Sequence, residues 1–239
     1  MNTKSKAPPQ SPPRSSTEVM SPKFLSIIEG AGRTFGQFGF ARTQMADIAK
    51  EAGVALGTLY RYTPSKDVLF YLVLLHGAGA SGREVAAAAS CDDVAARLES
   101  FVHGLGMEAN IQGALDQARS SATPTSDFIG AMYDGVDRFH MALRVLDRSA
   151  REWPDVAKLF NQELRAPVLL CAEQFLSDPA FAHAVRRVPD VEAAARLLLE
   201  MVAWMAMHRH FTSETENITD AAARMAVIDF VEASLQLSR

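Results

Sequence analysis

The residues whose types and spacing could do chemistry crowd into one stretch of this chain, from Gly39 to Leu69. There Thr43, Gln44, Leu56, Gly57, Thr58, Tyr60, Arg61, Tyr62 and Lys66 form an outer set, and Ile48, Ala49, Val54 and Leu59 an inner one, on short helices parted at Gly53. Two such helices, small or polar outside and apolar inside, suit nucleic-acid recognition. One rests on the phosphates while the other enters the major groove. Gly57 fits that chemistry, because a missing side chain lets a helix approach the groove. Other candidates are poorer. His208 and His210 stand two apart, on different faces of a helix, so no shared metal is expected. Cys91 and Cys171 read as small core residues rather than a redox pair. No His-Glu-x-x-His, Gly-x-Ser-x-Gly or glycine-rich phosphate loop occurs, so neither an enzyme nor a cofactor is expected.

Charge points the same way. Residues 1–66 hold nine cations against four anions, while the rest of the chain holds 15 against 24. A basic end joined to an acidic body implies a polyanion partner for the first part only. The overall charge of −4 conceals this split. At 239 residues, 48% apolar and 22% charged, the chain is an ordinary globular one, with enough length for a buried core. Two cysteines define no disulfide framework and imply a reducing compartment. The longest apolar run, Val68–Leu75, has eight residues, where a membrane-spanning helix needs about 20. Lys4, Lys6 and Arg14 precede no apolar stretch, so no secretory signal is expected. These features together predict a cytoplasmic protein without a membrane partner.

The elements that must position the reader follow from periodicity and punctuation. Residues 1–20 hold Pro8, Pro9, Pro12 and Pro13 among serines and threonines, and read as a disordered tail. Ser21-Pro22 then opens a helix whose Phe24, Ile27, Ile28, Ala31, Phe35 and Phe38 make one stripe, closed by Gly36 and Gly39. Thr43 is expected to cap a second helix reaching Ala52. A third runs from Leu56 to Tyr62, and Pro64-Ser65 caps a longer fourth. Three short helices with a four-residue turn around Gly53 make a helix-turn-helix unit over residues 21–67. Residues 68–239 read as helix throughout. Breaks are predicted near Ala89–Asp92, Arg119–Ser126, Trp153-Pro154, Ser177–Pro179, Val188–Asp190 and Thr212–Thr219. Pro167 should kink a helix from Asp155 to Leu176. No alternation signals a strand, so the expected fold is all-α, in two domains.

Thr43, Asp47-Ile48-Ala49, Ala52-Gly53-Val54, Gly57-Thr58-Leu59-Tyr60, Tyr62, Ser65-Lys66 and Leu69 follow one another, without a gap, as they do in the TetR family of transcriptional regulators, which this stretch resembles. The resemblance implies that Thr43 and Gln44 meet the DNA backbone. It implies that Leu56, Gly57, Thr58, Tyr60 and Arg61 face bases, and that Tyr62 and Lys66 lie on phosphates. Arg61 is the candidate for a guanine O6/N7 contact. Three positions depart from the family pattern. Thr63 replaces an aromatic residue, Ala46 a basic one, and Ala55 a serine that would cap the recognition helix.

Beyond residue 70 the resemblance implies only a helical effector-binding and dimerisation domain. Phe101, Met107, Phe128, Met132, Tyr133, Phe139 and His140 lie on the middle helices, where the family builds its effector cavity, so the resemblance implies that they line a mostly apolar pocket for a small effector. In the helix expected over residues 190–211, the apolar residues around Leu198, Val202 and Met205 spread over nearly half the circumference. That is wider than one core requires. These three residues are therefore expected at a homodimer interface, formed with a last helix over residues 219–237. The whole chain then reads as a ligand-released homodimeric repressor on a palindromic double-stranded operator. A helical enzyme or carrier with a basic head is one rival, and lacks a catalytic constellation; a DNA-binding architectural protein without an effector is the other.

Overall fold

The computed structural model describes residues 20–91, 93–215 and 217–235. The tail expected over residues 1–20 lies, except for Met20, outside them. Among the described residues every regular element is helical.

Helix α1 (Pro22–Phe38) begins where Ser21 Oγ accepts the Phe24 N–H at 3.2 Å and proline sets the first turn. It buries Phe24, Ile27, Ile28, Ala31 and Phe35, but Phe38, expected on the same stripe, faces solvent. Gly39 ends the helix at φ +81°, where an added Cβ would stand 2.9 Å from the Arg148 carbonyl oxygen. The corner needs glycine both for its conformation and for this close approach.

Helices α2 (Met45–Glu51) and α3 (Leu56–Tyr62) are joined by a turn through Gly53, at φ +67°. Thr43 does not cap α2. Its hydroxyl donates to the Gly39 carbonyl at 2.7 Å, and Gln44 takes the cap position, its N–H donating to Asp47 Oδ2 at 3.1 Å. Helix α4 (Lys66–Gly77) is capped by Ser65, whose Oγ accepts the Val68 N–H. Val68 to Leu74 are buried without interruption, because α4 is packed by α1 and by several helices of the body. The boundary expected at residues 67/68 therefore falls inside a helix shared by head and body.

The body comprises α5 (Gly82–Ala88), α6 (Val94–Gly104), α7 (Met107–Ala118), α8 (Pro124–Arg138), α9 (His140–Ala150), α10 (Pro154–Leu159), α11 (Ala166–Ser177), α12 (Val191–Ala206) and α13 (Asp220–Leu235). The breaks signalled by prolines and capping residues occur where expected. Further breaks follow Gly77, fall at Leu105-Gly106, and fall at Phe139. Residues 154–177 wind without a gap, but around Pro167 the winding changes. Phe160–Arg165 winds as a π-helix between α10 and α11. Pro167 has no N–H for the carbonyl four residues back, and the wider winding accommodates the missing donor.

Helix α12 packs on α8, α11 and α13. Leu198 is 5% exposed and Val202 fully buried, so both belong to the chain's own core and offer nothing to a second copy. Met205 is half-buried. The outward stripe of α12 is instead Leu197, Met201 and Trp204, at i, i+4 and i+7, with Leu197 70% and Trp204 44% exposed.

Head and body meet through α1 and α9. Arg144 Nε donates to the Gly36 carbonyl at 2.9 Å and Arg148 Nε to the Gln37 carbonyl at 2.8 Å. These two cations satisfy carbonyls that the end of α1 leaves free. Ser149 Oγ accepts the Phe40 N–H at 3.1 Å. The Phe40 ring sits 4.6 Å from Trp153 and 5.3 Å from Phe70, centroid to centroid.

Candidate nucleic-acid interface and apolar cavity

Leu59 anchors α3 in the core, with no exposed surface. The helical period then turns the opposite face outward. Leu56 is 42% and Tyr60 50% exposed, Arg61 is exposed, and Thr58 sits half-buried between the faces. Around Gly57 an added Cβ would meet nothing within 4 Å, so its surface is open to an incoming groove. Arg61 pairs with no carboxylate among the described residues. Gln44, at the start of α2, is also exposed. An uncompensated guanidinium beside a bare backbone patch is suited to bidentate contact with guanine.

Three residues expected on the DNA are engaged within the fold. Thr43 is 1% exposed, with its hydroxyl committed to Gly39. Lys66 Nζ donates to the Phe40 carbonyl at 2.9 Å and the Thr43 carbonyl at 3.0 Å, and lies 4.2 Å above the Phe40 ring. It fastens α4 to the loop before α2 rather than standing free for a phosphate. The Tyr62 ring stacks on Phe24 at 5.4 Å, joining α3 to α1. Thr63, where the family pattern has an aromatic ring, is fully buried, its hydroxyl donating to the Ser65 carbonyl.

In the body a largely apolar cavity opens among α7, α8, α9, α11 and α12. Met107, Val136, Leu143, Phe160, Leu164, Val168, Leu199, Ala203 and Met207 line it, with Asp147, Arg165, Glu200 and His208 as its polar groups. Of the lining residues expected from sequence only Met107 is here. Phe128 stacks on Phe175, Phe101 meets the edge of Tyr71, and Met132 is buried in the core. The Tyr133 hydroxyl donates to the Met205 carbonyl, Phe139 lies beneath Arg138, and His140 stacks on His210. All of these but the half-buried His140 are buried within the chain's own packing.

Asp147 Oδ2 is buried without a hydrogen bond, 3.7 Å from Arg144 Nη1. Arg144 Nη1 also donates to His208 Nδ1. Burial, followed by the nearby Arg144 charge, holds the His208 pKa below the ordinary histidine range. Arg144 therefore touches the cavity wall with one end and the Gly36 carbonyl of the head with the other. Both thiols are buried, and burial pushes the Cys171 pKa up, which disfavours its thiolate. No described helix is long and apolar enough to cross a membrane.

Residues 27–72 match the family described as bacterial regulatory proteins, tetR family. The chain is 42% identical over 52 residues to the fatty acid metabolism regulator protein of Bacillus subtilis, covering 21% of this chain and 27% of that relative. It is 41% identical over 58 residues to the HTH-type transcriptional regulator RutR of Escherichia coli, covering 24% and 27%. The matched part thus spans about a quarter of the length of these curated relatives. The ketosteroid transcriptional regulator KstR2 of Mycobacterium tuberculosis has a similar solved structure, with a TM-score of 0.55 at 14% identity over 92% of this chain and 97% of that one. That likeness is one of fold.

Proposed function

From the match of residues 27–72 to the tetR family of bacterial regulatory proteins, we propose that the chain is a homodimeric repressor released from a palindromic operator by a small, mostly apolar effector. The observation that carries the reading is the outward face of α3. Leu56, Gly57, Tyr60 and Arg61 are turned to solvent while Leu59 holds the helix on its core. Gln44 on the phosphates and α3 in the groove account for this arrangement. Thr58 lies at the edge of the contact. Thr43, Tyr62 and Lys66 act by positioning α2, α3 and α4 for it.

Two further features support the dimer and the effector. Leu197 and Trp204 on α12, and Met225 and Phe230 on α13 (each 61% exposed), leave large apolar side chains in water, which a second copy would remove. The apolar cavity shares α9 with the head. Leu143 and Asp147 line it, while Arg144 and Arg148 of the same helix hold the end of α1. An effector that fits the cavity better when α9 is displaced shifts the pair of heads away from operator spacing. It acts only through its differing affinity for the two states.

The test is a mobility shift with DNA from upstream of the chain's own gene, against scrambled DNA at moderate salt. Specific retention that Arg61→Ala weakens, and that a small apolar molecule reverses, is the expected result. Equal retention of both DNAs would overturn sequence-specific reading, and failure of any apolar molecule to release the complex would overturn the effector.

A further inference from the structure

Outside the lining of the apolar cavity, three potential metal ligands converge from segments about 70 residues apart in sequence. Asp137 ends α8, His140 begins α9, and His210 lies in the 3-10 turn His208–Phe211 after α12. One ligand atom from each lies within 4.8 Å of the other two. We propose that Asp137, His140 and His210 form a binding site for a divalent transition-metal ion of the zinc type, distinct from the DNA reader and the effector cavity.

The hydrogen bonds already orient the set. His140 Nδ1 lies 2.7 Å from the Asp137 carbonyl oxygen, which can only accept, so the proton is on Nδ1 and the Nε2 lone pair is free. A ligating imidazole is held in this way when its other nitrogen donates to a backbone carbonyl. His210 Nε2 stands 3.2 Å from Asp137 Oδ1. Two ligands of a tetrahedral zinc ion are about 3.3 Å apart when each bond is about 2.0–2.1 Å. That edge of the polyhedron is therefore close to its final length. The two imidazoles stack at 4.1 Å with a 23° tilt, and opening this stack brings the second nitrogen to the ion. On binding, the His210 N–H···Oδ1 hydrogen bond is replaced by one metal–nitrogen and one metal–oxygen bond. The displaced proton moves through solvent to His210 Nδ1, so the imidazole stays neutral.

Two imidazoles and one carboxylate favour zinc, nickel or cobalt over magnesium or calcium, which take oxygen ligands. The turn carrying His210 is already fixed. Arg209 Nε donates to the Met205 carbonyl at 2.6 Å and Nη1 to the Ile218 carbonyl at 3.2 Å. The same guanidinium lies 3.8 Å from Asp137 Oδ1, a like charge to the incoming ion that Asp220, paired to Arg209, offsets. His210 is solvent-accessible, which leaves an entry path and a fourth position for water. A bound ion would tie this turn to the α8–α9 corner. The turn's Phe211 ring lies against Gly36 of α1, so close that an added Cβ there would stand 2.5 Å away.

The experiment uses the full, tag-free chain, stripped with chelator and titrated with Co2+ alone. One equivalent per chain with the intense visible bands of four-coordinate Co2+, displaced by Zn2+, is expected. His140→Ala and His210→Gln should each weaken uptake about tenfold or more, while His183→Ala, at an exposed site elsewhere, binds as the parent does. Melting curves of the metal-free variants establish that each is folded, and Zn2+ should raise the melting temperature of the parent but not of the two site variants. No cobalt uptake, or uptake that the His140 and His210 substitutions leave unchanged, would overturn the site. Neither result depends on DNA binding, so the site and the proposed function fail separately.

Discussion

Arg61 and Lys66, both cationic and five residues apart, serve different ends. Arg61 is exposed without an acidic partner among the described residues, so its guanidinium is available to a base edge. Arg61→Ala should cost roughly 1–3 kcal/mol on the true operator and far less on random DNA, as measured by binding titrations on both. Lys66 has two carbonyl partners, 26 and 23 residues back in sequence, and a ring beneath its ammonium. Lys66→Ala should lower unfolding stability by about 1–3 kcal/mol, because two backbone acceptors lose their donor. A chemical denaturation curve checks this, and an unchanged midpoint would return Lys66 to the phosphates. Sequence separated inner from outer residues correctly around Leu59, because a single helical period decides that. It could not reveal that Lys66 and Thr43 bond to their own chain, since those partners come from loop geometry. The same holds for Asp137, His140 and His210, which only the packing of two distant segments unites.

At the scale of elements, most breaks were legible where proline or a capping residue punctuates the chain, but the body divides into more helices than those signals mark. Breaks at Leu105-Gly106 and Phe139 carry weaker local signals, and were not foreseen. The apolar width of α12 was also visible, but its meaning was divided differently: Leu198 and Val202 serve the core, and Leu197 and Trp204 the exterior. The effector lining was least legible, because periodicity reports burial and not what a side chain is buried against. Helix α9 is the element that joins cavity to head. Replacing Arg144 with leucine removes the donor to Gly36 while retaining an apolar stem. Hydrogen exchange of the backbone around Gly39 and Phe40 should then quicken, with the amides of α8 unchanged. Unaltered exchange there would show that α9 does not hold the head through this residue.

For the whole molecule, association and DNA reading are linked, since two heads are needed for a two-fold site. Trp204→Asp should give a folded monomer in sizing experiments, because its indole faces solvent in one chain. Leu198→Asp should instead unfold the chain, since a charge would enter its own core. A dimeric Trp204→Asp protein would place the subunit contact elsewhere. The most direct measurement is selection of bound sequences from random double-stranded DNA by the full chain, repeated with Arg61→Ala. The account predicts an enriched inverted repeat with half-sites about one helical turn apart, and loss of preference at one base pair per half-site in the variant. Recovery of no common sequence, or of the same sequence with undiminished preference by the variant, would contradict it.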